Sequence, residues 1–99
     1  SITTERGTEL ARASALNALA AVGALVGGVD KITRVLKVVG FVASDPDFTA
    51  QPAVINGASN VLVEIFGDAG IHARSAVGVA ALPLDAPVEV EIVVEVAAD

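Results

Sequence analysis

The chain has 99 residues, a formal net charge of −6, and 54% hydrophobic but only 3% aromatic residues. That is one acidic domain with an aliphatic core, and without a Lys/Arg cluster it is a poor partner for nucleic acid or an anionic membrane. With no cysteine and one histidine it has no disulfide, no thiolate chemistry, no Cys-type zinc site and no helical HExxH, and its cysteine usage fits a reducing, cytoplasmic setting.

The first element, "ITTERGTELARASALNALAAVGALVGG", reads as a helix. Thr3 or Thr4 caps it, and Glu5 in the first turn suits the positive end of the macrodipole. Leu10, Ala13, Leu16, Ala20 and Gly23 recur at helical spacing, with Leu19 and Val26 widening the stripe. Gly27-Gly28 stops it. The uncharged run from Ala13 to Val29 is short for a membrane span and contains Asn17, so it is expected to be a buried helix of a soluble domain. No secretory signal pattern opens the sequence.

"KITRVLKVVGFVAS" reads as a strand: β-branched, nearly continuous in apolar residues and short between breakers. "DPDFTAQP" is a turn. "PAVINGASNVLVEIFGDAG" is a second helix, with Pro52 at its start and Ile55, Ala58, Leu62, Ile65 and Phe66 on one face. Gly57 weakens that helix by up to about 1 kcal/mol relative to Ala.

The C-terminal stretch from Ile71 to Val96 reads as a hairpin. In its last strand Val88, Val90, Ile92, Val94 and Val96 alternate with Glu89, Glu91, Val93 and Glu95. In its first strand Val77 and Val79 are expected on the apolar face, which puts Arg74, Ala76 and Gly78 beside Glu89 and Glu91. The result is an α+β domain in the order α-β-α-β-β, with both helices on one sheet face. A sheet this thin has open edges and a half-apolar outer face. It predicts further strands, another subunit, or both.

From Asn56 through Ala73-Arg74-Ser75-x-Val77, Leu82-Pro83 and the Glu89/Glu91 strand, the sequence resembles the RidA (YjgF-type) family, often labelled endoribonuclease L-PSP. "LNALAAV" and "VVGFVASDPDF" extend the likeness over nearly the whole chain. It is nearest the longer-chain branch. By that comparison residues 1–99 are the C-terminal portion of a single RidA-like domain, with the family's N-terminal β-hairpin missing or carried on another chain.

The resemblance implies a chorismate-mutase-like fold and a homotrimer, joined by a separate N-terminal chain if the missing strands are encoded there. It implies hydrolysis of reactive imines and enamines to 2-oxo acids and ammonia in clefts between subunits, with no metal or organic cofactor. The runner-up is a non-catalytic trimer that binds small carboxylates or acts as a chaperone. The ribonuclease label is disfavoured by the net charge of −6.

Arg74 matches the family's substrate-carboxylate arginine. A guanidinium fork binds a carboxylate through two parallel charge-assisted bonds, which Lys cannot reproduce. The alternative is an ion pair with Glu89 or Glu91. Glu89 matches the family's acidic residue that positions water or moves a proton; Glu91 fits the same pattern. Ala76 stands where many deaminases of the family carry cysteine and would line the substrate site. Asn56 would help shape the cleft, or would simply bond near the helix N-terminus.

His72 replaces a common proline and is expected to be a surface or hydrogen-bonded residue. Ser1 could serve as an N-terminal nucleophile, but nothing nearby supports an oxyanion hole. Asp45 and Asp47 lack EF-hand spacing.

Overall fold

The computed structural model describes residues 3–98. Ser1, and with it the N-terminal nucleophile reading, lies outside them. Helix α1 (Thr4–Val26) leads through a short 3-10 turn to strand β1 (Ile32–Ala43). Helix α2 (Gln51–Phe66), strand β2 (Ala73–Val79) and strand β3 (Val88–Val96) follow. The Thr3 hydroxyl caps α1 by accepting from the Arg6 amide at 3.1 Å, and Gly27 in the left-handed region, with φ 94°, closes it.

Both helices lie on one face of a mixed sheet. One core joins Ala11, Ala15 and Leu19 of α1, Val54, Ile55, Ala58, Val61 and Leu62 of α2, and Val35, Val38 and Val42 of β1. Burial of each large aliphatic side chain there stabilises the fold by about 1.5–3 kcal/mol in transfer free energy. By length and composition α1 could cross a membrane. Its small residues instead pack in this core.

The buried stripe of α1 is Gly7, Ala11, Ala15, Leu19 and Gly23, not the predicted Leu10, Ala13, Leu16 and Ala20. Every fourth residue along it is small or lies at the core centre. Packing followed the surface that lets the helix sit closest, rather than the bulkiest side chains. On α2 the buried face keeps Ile55, Ala58 and Leu62, whereas Ile65 is 46% exposed near the helix end.

Gly57 is buried against α1. A Cβ there would lie 2.1 Å from the Thr8 carbonyl oxygen, so glycine sets the closeness of the two helices. Gly40 does the same for α2 over the sheet, where a Cβ would overlap the Ile55 side chain.

The C-terminal hairpin is not formed. The strand order is β2-β1-β3, with β2 parallel and β3 antiparallel to β1. The α2 crossover supplies the length that a parallel pair needs. Residues 80–87 then carry the chain past β1 to its other edge, through left-handed Leu84 and Asp85.

That topology changes which face each side chain takes. A tight turn would have fixed the phase of β2 against β3; here each strand is phased separately against β1. Arg74 pairs with Val38, Ala76 with Gly40 and Gly78 with Val42, and those β1 residues are buried under the helices. Val88, Val90 and Ile92 pair with the same three residues. Arg74, Ala76 and Gly78 therefore lie on the helix-facing side. Val77 pairs with Phe41, whose other partner is Glu89; Val39 joins Ser75 to Glu91. The expectation that Arg74 shares a face with Glu89 and Glu91 is thus overturned, and Val77 and Val79 belong with the glutamates.

Candidate functional site

Arg74 stands on β2, at one edge of the described sheet. Its side chain turns toward α2. Nη1 donates to Asn56 Oδ1 at 2.7 Å and to Ser59 Oγ at 3.2 Å, and Nη2 donates to the Pro52 carbonyl at 3.4 Å. Pro52, Asn56 and Ser59 follow one another at helical spacing, so α2 offers the arginine a single polar stripe. The predicted ion pair with Glu89 or Glu91 does not form, because those side chains leave the other face.

Arg74 nevertheless remains exposed. Helix α2 holds it with neutral acceptors only, so its charge is not neutralised where it is bound. A guanidinium held in this way can receive an anion, and its planar fork suits a carboxylate.

Behind it sits His72. Its Nδ1 lies against the Gly70 carbonyl, and its Nε2 is 2.9 Å from Ser59 Oγ. A carbonyl only accepts, so Nδ1 carries the proton. In the neutral ring Nε2 is then the acceptor, and the Ser59 hydroxyl donates to it. Ser59 and His72 are both half-buried. Ser59 was missed in the sequence, although it lies one helical turn beyond Asn56 on the same face.

Ala76 follows on the same side of β2, half-buried against the core. Gly78 comes next and opens a groove of about 430 Å³ lined by Ser44, Asp45, Phe48, Gln51 and Val79. Gln51 Nε2 donates to the Phe48 carbonyl at 2.8 Å and to Ser44 Oγ at 3.4 Å, which fixes one wall. A Cβ at position 78 would lie 2.6 Å from that Gln51 nitrogen, so a larger residue there would displace the Gln51 side chain. Arg74, Ala76 and the groove thus form one continuous strip. Asn56 belongs to its anchoring end. Glu89 and Glu91 do not reach it within one chain.

Comparison with known proteins adds the family. The model of the endoribonuclease L-PSP family matches residues 2–96. Protein TCP17 of Trypanosoma cruzi is 47% identical over 96 residues, which are 96% of this chain and 60% of TCP17. The crystal structure of Atu1372 from Agrobacterium tumefaciens, whose function is unknown, superposes with a TM-score of 0.93 at 46% identity, covering 98% of this chain and 62% of that one. A Shewanella oneidensis MR-1 structure described provisionally as an endoribonuclease has a TM-score of 0.92 at 28% identity, covering 97% and 64%. The chain therefore spans somewhat under two thirds of these relatives and shares their α+β, chorismate-mutase-like architecture. It belongs to the endoribonuclease L-PSP family, the RidA (YjgF-type) proteins.

Proposed function

We propose that the protein is a RidA-type deaminase that hydrolyses imines and enamines of small amino acids to 2-oxo acids and ammonia. One observation carries this reading. Arg74 is oriented by Asn56, Ser59 and the Pro52 carbonyl, yet has no carboxylate partner among these bonds. A substrate carboxylate would take that place and hold the imine carbon over Ala76, where an oriented substrate meets water at lower entropic cost.

Glu89 would position water. It stands across the sheet from Arg74, so the two share a cleft only where chains meet. A homotrimer with inter-subunit clefts satisfies this requirement. The outer sheet face supports such an assembly: Val77 is 42% and Val93 51% exposed there, around half-buried Val39 and Phe41. Apolar residues of this kind are typical of surfaces that pair. The chemistry needs no metal or organic cofactor, and a cytoplasmic location fits both the cysteine-free composition and a metabolic substrate.

The same anchor supports a second reading, a non-catalytic carboxylate-binding protein. The alanine at position 76 favours it. Ammonia release from an imino acid generated by a dehydratase separates the two. The deaminase reading expects release above the spontaneous rate, lost in Arg74→Ala. Carboxylate binding without turnover would select the binding protein, and an Arg74→Ala variant as fast as wild type would remove the role of the anchor.

A further inference from the structure

We propose that Ser59 and His72 form a proton relay opening on the Arg74 anchor, with Ser59 the catalytic residue that meets the substrate and His72 the base behind it. The inference rests on the deaminase reading and deepens it. Imine hydrolysis needs a group that takes a proton from water and gives one to nitrogen. The strand register sends Glu89 to the far face of the sheet, so within one chain it does not serve this pocket. Ser59 and His72 do. Ser59 Oγ is 3.2 Å from the anchoring guanidinium and 2.9 Å from His72 Nε2, and the Gly70 carbonyl fixes the ring from behind. A hydroxyl bonded to a base that a third group orients is the arrangement proton transfer requires.

The step balances without a cofactor. With the carboxylate on Arg74 and the imine protonated, water attacks the imine carbon. A C–O bond forms, and the C=N π pair moves onto nitrogen. The water proton passes to Ser59 Oγ as the Ser59 proton passes to His72 Nε2. The resulting carbinolamine then takes the proton back: Nε2 returns it to Ser59, and Ser59 protonates the amine. The hydroxyl oxygen pushes out ammonia as the C–N bond breaks, and the protonated ketone releases its proton to solvent. The Arg74 bond to Ser59 Oγ makes that hydroxyl a readier donor to the amine.

The test uses ammonia release by the protein and its Ser59→Ala, Ser59→Thr and His72→Ala variants, with 2-oxobutanoate binding measured on each. The relay predicts a kcat about 100-fold lower in Ser59→Ala and His72→Ala, the usual size of acid–base assistance. It predicts carboxylate affinity near wild type in His72→Ala, substantial activity in Ser59→Thr, and partial rescue of His72→Ala by added imidazole. Wild-type kcat in His72→Ala would overturn the relay alone. Loss of carboxylate binding in His72→Ala and Ser59→Ala, with kcat retained at saturation, would overturn it in favour of mere support for Arg74. Wild-type protein that binds 2-oxobutanoate but releases no ammonia would overturn the deaminase reading and the relay together.

Discussion

Arg74 and Glu89 leave opposite faces of one sheet: Arg74 is paired with buried Val38, and Glu89 with Phe41 on the outer side. The positive anchor thus belongs to the helix layer and the carboxylate to the open face. Two consequences follow for ligand binding, and three more concern the scaffold.

Arg74→Lys keeps the charge and loses the fork. Lysine cannot place two parallel donors on a carboxylate while also bonding Asn56 and Ser59. Affinity for a small 2-oxo acid should fall by about tenfold, or about 1.4 kcal/mol, measured by calorimetry. Equal affinity in the two proteins would show that charge alone suffices.

Glu89→Gln should leave that affinity unchanged, since Glu89 does not face the anchor within a chain. Turnover should fall if neighbouring chains supply the water-positioning group. A large loss of carboxylate affinity would show that Glu89 contacts the bound ligand after all.

Gly57→Ala sets two effects against each other. Alanine gains up to about 1 kcal/mol in helix propensity. Its methyl group would also press on the Thr8 carbonyl, which is backbone and cannot swing aside. Overpacking of this kind costs about 1–3 kcal/mol, so the variant should melt lower than wild type. A higher Tm would show that the helices separate easily.

Thr3→Ala removes the cap of α1 and should cost about 1 kcal/mol in denaturant unfolding. By contrast, the 2.9 Å pair Arg12–Glu64 has both side chains about half exposed, and Glu64→Ala should change stability by less than about 1 kcal/mol. Reversal of that ranking would mean that this ion pair between the two helices contributes more than the α1 cap.

Much of the architecture was legible. Thr3, Gly27 and Pro52 mark helix ends through local chemistry, and the β-branched run of β1 needs no partner to be recognised as a strand. The facing of Arg74 was not legible. Strand alternation relates neighbours within β2, but its phase against β3 depends on β1, far off in the chain, and on a connection that crosses to the other sheet edge. The same limit hid Ser59 and its bond to His72, although His72 itself was expected to be a surface or hydrogen-bonded residue. Each is unremarkable alone, and only the packing of α2 against β2 joins them to Arg74. The stripe of α1 was misplaced for a related reason: large side chains dominate the pattern, whereas close packing selected Gly7, Ala11 and Ala15. Asn56 was singled out through the family motif, and the structure shows it accepting from Arg74 at 2.7 Å.

The most direct test of the central claim is to watch the Arg74 guanidinium by arginine side-chain NMR while 2-oxobutanoate is added. Saturable shifts of the Arg74 resonances, absent with an uncharged analogue, are the expected result. Arg74 signals that stay fixed while the protein demonstrably binds the 2-oxo acid elsewhere would contradict it.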